Sequence, residues 1–147
     1  GWCERVALKD IITFFITSEQ FRRWKIRPDQ SQALARILLA ADEHGHGFGC
    51  GVRAGAELVC AAYFIRWGGR LIFLKGLANE AGRRIHAMHF LIDRIISEHA
   101  GQDLLFDFAG TNDPDLSRFY MGFGGERSVY LRALVNKLPF PLNLLRT

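Results

Sequence analysis

Cysteine, proline and methionine are all scarce in this chain of 147 residues, which carries three, four and two of them. The cysteines, Cys3, Cys50 and Cys60, are odd in number and match no zinc-ligand spacing. That argues against a disulfide framework and leaves buried thiols as the expectation. No apolar run approaches the roughly 18 residues that a membrane-spanning helix needs. The longest, Leu58–Ile65, stops at Arg66 and reads as a buried strand. Charge of one sign is lacking too: 19 Lys and Arg against 15 Asp and Glu leave a net charge of +4. The basic residues do not interleave with aromatics, which excludes nucleic acid as the primary partner, while the mild excess of base suits an anionic ligand. His44/His46 and His86/His89 form pairs without a third ligand, and there is no HExxH, so no metal is expected. No signal segment is visible near Cys3-Glu4-Arg5, which makes the cytoplasm the expected location.

What the chain has is apolar and aromatic mass. Hydrophobic residues make up 49%, and 12 of the residues are phenylalanine, enough for a self-sufficient core in one domain spanning 1–147. Leu8, Ile11, Ile12, Phe15 and Ile16 recur at helical spacing, and so do Leu34, Ile37, Leu38 and Ala41 after the break at Arg27-Pro28. Phe48–Arg53, Leu58–Trp67 and Arg70–Leu77 read as three antiparallel strands, the last two joined at Gly68-Gly69. A helix over Arg83–His99, a strand over Leu104–Phe108 and a helix from Thr111-Asn112-Asp113-Pro114 to about Phe123 follow. Ser128–Val135 reads as a last strand and Leu138–Leu142 as an extended tail. The order αα-βββ-α-β-α-β, with no strand before the first helix, predicts an α+β (three-layer α/β) domain. Its sheet is mixed and mostly antiparallel, with helices on both faces. Strand 70–77 should lie parallel to strand 104–108 through a right-handed crossover.

That order resembles the GNAT acyltransferase family. Two local signals carry the resemblance: the strand Arg70–Leu77 feeding a polar loop and helix, and the run Asn112–Gly125, similar to the family's N-x-x-A-x-x-L-Y-x-x-x-G-F segment. Leu105–Asn112, Arg118–Gly124 and the Leu138–Leu142 tail are also similar to bacterial tandem-GNAT proteins related to Fem-type peptidoglycan-bridge transferases. The resemblance covers about residues 5–145 and implies transfer of an acetyl or aminoacyl group from acetyl-CoA, another acyl-CoA or an activated ester to an amine. The acceptor would be a small-molecule or peptide amine. As in the family, Tyr120 is implied as the acid that protonates the departing thiolate. A donor site is expected from Lys75, Gly76, Leu77, Asn79, Gly82, Arg83, Arg84, His86, Ala87 and Asn112.

The residues themselves leave alternatives open. Tyr120 also fits simple packing with Phe119 and Phe123. Asp107, inside an apolar strand, is a candidate catalytic or ligand-contacting carboxylate or a structural one for the following turn. Arg83 and Arg84 at a helix start oppose its dipole unless an anion sits there. Lys75 either reaches an anion or snorkels. The family's R/Q-x-x-G-x-G/A motif loses its glycine in both registers, with His86 and Met88 in the small places when Arg83 leads. A degraded motif and an absent first strand fit a second reading, a non-catalytic half binding an anionic ligand or a partner domain. A bare sheet edge would then recruit a missing N-terminal half or a second copy of the chain.

Overall fold

The computed structural model describes residues 3–19 and 28–129. Five strands form one sheet in the order β1-β2-β3-β4-β5: β1 (Cys3–Val6), β2 (Gly47–Ala54), β3 (Glu57–Trp67), β4 (Arg70–Ala78) and β5 (Leu105–Asp107). The first four pair antiparallel, and β5 runs parallel to β4. The α+β reading with a mixed sheet therefore holds. Gly68 and Gly69 both adopt positive φ (56° and 72°), the backbone that a tight two-residue hairpin requires.

One expectation is overturned at the start. A strand does precede the first helix: Cys3–Val6 pairs with Val52–Gly49 of β2. The edge of β2 that the sequence reading left bare is covered. Glu4 pairs with Arg53, and the Arg5 guanidinium sits 3.8 Å from the centre of the Phe48 ring. Four residues, two of them charged, are too few to display a period of two, so the strand was invisible until its partner was placed.

Helices cover both faces. On one, α1 (Leu8–Thr17) and α2 (Pro28–Glu43) press Ile11, Phe15 and Leu38 against Ala61, Tyr63 and Leu77. The buried Tyr63 hydroxyl donates to the Leu38 carbonyl at 3.1 Å. On the other, α4 (Ala87–Glu98) packs Leu91, Ile92 and Ile95 onto Val52, Cys60, Phe64 and Leu71. Each of these fully buried aliphatic side chains stabilises the fold by about 1.5–3 kcal/mol. Covered on both faces, β3 buries every residue from Val59 to Phe64.

The single helix expected over Arg83–His99 is two. A short α3 (Glu80–Arg84) is followed by a turn at Ile85-His86 and then by α4. The last helix, α5 (Pro114–Met121), starts as expected, with the Asp113 carboxylate accepting from the Asp115 and Leu116 N–H groups at 2.8 and 3.1 Å. Ser128 and Val129 are in no strand; the rest of the strand expected to Val135, and the tail at Leu138–Leu142, lie outside the described residues. Cys50 and Cys60 are buried as expected, whereas Cys3 is only partly so, and all three are free thiols.

Candidate active site

The site follows from how β4 is paired. On its β3 side, Tyr63 faces Lys75 while Phe64 faces Phe73, so Leu74 is an extra residue. Such a bulge bends a strand and re-aims its side chains. On the other side, β5 pairs only with Arg70, Leu71 and Ile72. From Phe73 to Ala78 no described strand lies on that edge. The two strands, parallel as expected, thus touch at one end and part, and the backbone of β4 is left with hydrogen-bonding groups that an extended ligand can use.

At the far end of this edge the chain turns into α3. Asn79 caps it, its Oδ1 accepting the Gly82 N–H at 2.8 Å while its Nδ2 donates to Glu57 at 3.0 Å. Gly82 is buried for packing: a Cβ there would stand 2.2 Å from the Val59 carbonyl oxygen. Arg83 and Arg84 end this short helix instead of starting a long one, so the expected conflict with the helix dipole disappears. The Arg84 guanidinium pairs with Glu80 and is mostly exposed. That of Arg83, also on an exposed residue, folds back to donate to the Ala78 carbonyl at 3.1 Å.

His86 then takes the left-handed conformation (φ 53°, ψ 36°) and stands as the N-cap of α4 without a side-chain cap hydrogen bond. This is the backbone that favours glycine. With Arg83 in the first place of R-x-x-G-x-G/A, His86 occupies the first glycine's place and takes a backbone that favours glycine. The first turn of α4 leaves the N–H groups of Ala87, Met88 and His89 without intrahelical acceptors. A cavity of about 130 Å³ opens at this point, walled by Ala78, Arg83, His86, Met88, His89 and Phe119. Free N–H groups, the positive helix end and a guanidinium converge there, an arrangement that binds anions.

A larger cavity of about 550 Å³ lies against β5 and α5, bounded by Arg70, Asp107, Phe108, Tyr120 and Phe123. The start of α4 is not among its lining residues, and its Arg70 is already held by Asp107 at 2.9 Å. Tyr120 stacks on Phe108 (centroids 4.4 Å apart) and meets Phe73 edge-on at 6.2 Å. Burial raises its pKa above the ordinary tyrosine value. The ring of Phe73 reaches over Gly76, whose missing side chain makes room for it and for Met88. Tyr120 is thereby linked through one aromatic ring to the parted edge of β4.

A family model described as an acetyltransferase (GNAT) domain matches residues 4–117. The chain belongs to the GNAT acetyltransferase family. Three solved structures have the same GNAT fold. A possible acetyltransferase from Clostridium difficile 630 has a TM-score of 0.66 at 10% identity, with 94% of this chain and 98% of that one covered. A predicted acetyltransferase with acetyl-CoA from Clostridium acetobutylicum gives 0.63 at 13%, covering 92% and 95%. Ribosomal-protein-alanine N-acetyltransferase from Brucella melitensis biovar Abortus 2308 gives 0.61 at 14%, covering 92% and 99%. No curated protein matches by sequence.

Set in the GNAT fold, the expected site residues divide. Arg83, His86 and the buried Ala87, through its backbone N–H, gather at the α4 end, and Gly76 lies on the adjoining edge. Leu77 is buried in the opposite core. Lys75 faces Tyr63, away from α4, because the Leu74 bulge reverses the alternation that would have aimed it at that helix. Asn79 and Gly82 support α3, and Asn112 is exposed in the turn before α5. Asp107 is engaged by Arg70 and by the Ala109 N–H, which it accepts at 2.8 Å. Met88, His89 and Phe119 wall the same cavity but were not expected as site residues: the sequence marked Met88 only as a departure from the glycine motif, His89 as half of a histidine pair and Phe119 as packing. His86→Gly is expected to keep stability or raise it by up to about 1 kcal/mol, since a left-handed non-glycine residue costs about 1–2 kcal/mol. Thermal melting checks this, and a loss above about 1 kcal/mol would show that the imidazole is itself a stabilising contact.

Proposed function

We propose that this GNAT domain is an N-acetyltransferase that moves the acetyl group of acetyl-CoA to a primary amine. The observation that carries the reading is the continuity of the β4 edge over 73–78, which no described strand pairs, with the open N-terminus of α4. The pantetheine arm would hydrogen-bond along Phe73–Ala78, and the pyrophosphate would meet the N–H groups of Ala87, Met88 and His89, with Arg83 beside it. The His86 imidazole narrows this mouth but leaves the backbone in the geometry the phosphates need. The acetyl-CoA named with the Clostridium acetobutylicum neighbour, and the amine acceptors named for other neighbours, an aminoglycoside 6'-N-acetyltransferase from Acinetobacter haemolyticus among them, support the same chemistry.

In this reading the protein acts mainly by orientation. The bulged β4 edge holds the thioester carbonyl, the amine attacks it, and Tyr120 supplies a proton to the sulfur as the C–S bond breaks. A tyrosine hydroxyl is protonated at neutral pH, and burial, by raising its pKa, extends that form further into the alkaline range. Asp107 serves the site indirectly, through Arg70 and the turn at Ala109. A non-catalytic half is the weaker alternative, because β1 restores the strand it was thought to lack and His86 takes a left-handed backbone that suits glycine. A tandem, Fem-type arrangement rests on the motif resemblance alone.

Calorimetry with CoA tests the donor site. Arg83→Ala is expected to weaken binding about tenfold, about 1.4 kcal/mol, and Arg84→Ala to leave it unchanged. No heat with CoA or acetyl-CoA on the wild type would overturn the reading.

A further inference from the structure

We propose that Cys3 is a site of oxidation by hydroperoxides and that Cys50 resolves the oxidised sulfur into a disulfide between β1 and β2. Nothing in this needs the acetyltransferase reading; the way the sheet places its three thiols carries it. Cys3 stands opposite Val52, and Val52 opposite Cys60, while Cys50 is two residues along β2 from Val52. Residues opposed across a sheet, and those two apart on one strand, share a face. All three thiols accordingly meet the core beneath α4, Cys50 and Cys60 buried in it and Cys3 at its partly exposed margin. Cys3 and Cys50 are diagonal neighbours on adjoining strands, and the Cys50 thiol donates a hydrogen bond to the Cys3 sulfur. That bond, helped by the Arg5 and Arg94 guanidinium groups, holds the Cys3 pKa below the ordinary thiol value against burial and the Glu98 carboxylate. An accessible thiolate beside a second thiol is the arrangement that oxidants attack. Cys60 is its opposite: burial pushes its pKa up to about 12, and its Sγ lies against Met88 Sδ at 4.0 Å.

The chemistry is complete with one molecule of hydrogen peroxide. The Cys3 thiolate attacks a peroxide oxygen, the O–O bond breaks, and hydroxide leaves Cys3 as a sulfenic acid; the hydroxide takes up the proton that Cys3 lost on ionising. The Cys50 sulfur then attacks the sulfenic sulfur, the S–S bond forms, and the hydroxyl departs with the Cys50 proton as water. Two thiols are oxidised to one disulfide, and the peroxide is reduced to two waters. The Cα atoms of a diagonal pair stand about 7–8 Å apart, beyond the usual disulfide range, so closing the bond draws β1 inward. β1 is four residues long and, among the described residues, pairs only with β2, so it gives way more easily than an inner strand. A disulfide closed under strain is readily reduced again, which makes the modification reversible.

The test treats the purified wild-type chain with hydrogen peroxide, caps the remaining thiols with iodoacetamide and maps unreduced tryptic peptides by mass spectrometry. Trypsin cuts after Arg5 and Arg53, which separates Cys3, Cys50 and Cys60, so the linked pair is read directly. The intact chain is expected to lose two hydrogen atoms, with Cys3 joined to Cys50, and dithiothreitol should restore both thiols. Cys60 is the internal reference and should oxidise at least about tenfold more slowly than Cys3. In Cys50→Ala, Cys3 should gain oxygen instead of closing a bond. Cys3→Ser, a near-isosteric change at the margin of the core, should abolish the fast oxidation altogether. A link between any other two cysteines, a wild-type Cys3 that stops at added oxygen, or equal rates at Cys3 and Cys60 would overturn the proposal.

Discussion

Gly82→Ala is expected to destabilise the domain by about 3 kcal/mol, against the usual sign of a glycine-to-alanine change inside a helix. Alanine normally stabilises a helical position by about 1 kcal/mol over glycine. Here the added Cβ would lie 2.2 Å from the Val59 carbonyl oxygen and 2.9 Å from its carbon, both backbone atoms of the central strand. Neither can rotate away, so α3 itself must back off β3. That movement strains the Asn79 N–H bond to the same Val59 oxygen (3.0 Å), the Asn79 cap on Gly82 and the Arg83 bond to Ala78. Overpacking of this kind costs about 1–3 kcal/mol before such bonds are counted. Because α3 leads directly into the His86 turn, CoA affinity should fall as well. Urea denaturation of both proteins measures the first effect and calorimetry the second. A variant as stable as the wild type would mean that α3 is loosely held.

Tyr120→Phe should lower kcat about a hundredfold while leaving both the KM for acetyl-CoA and the melting temperature unchanged. Loss of a positioned general acid costs about 10²–10⁴ in rate. Phenylalanine preserves the stack on Phe108 and the edge contact with Phe73, so packing is kept and only the proton is lost. The pH profile has a definite sign. An acid must be protonated to act, and burial holds the Tyr120 hydroxyl above the ordinary tyrosine value. The wild type should therefore show no alkaline loss from this group until the pH passes the normal tyrosine range. An unchanged kcat in the variant would return Tyr120 to a packing role.

Legibility differed between fold and site. The β3–β4 hairpin was plain from Gly68-Gly69 between two apolar runs, and α5 from Asp113-Pro114. The stripe Leu91, Ile95 and Ile96 marked α4, but not its start, because Arg83–His86 continues a helical pattern that the left-handed His86 breaks. At the candidate site, the places of Tyr120 and Arg83 followed from motif spacing. Counting back from Tyr120, the asparagine place of the motif falls on Asp113, which caps α5, and not on Asn112.

The sequence alone determined whatever depends on near neighbours: helical and strand periods, glycine turns, proline helix starts and the αβ order that places the chain with the GNAT proteins. Only the tertiary structure decided which side of β4 each residue serves. One extra residue at Leu74 reverses the face of Lys75, and no local pattern marks it, because a bulge exists only relative to the partner strand. Likewise Gly82 faces Val59 across 23 positions of chain, and Glu4 meets Arg53 across 49. Contacts of that kind are set by how the layers close on one another, and they bring a strand edge, a short helix and a histidine together at one end of β4.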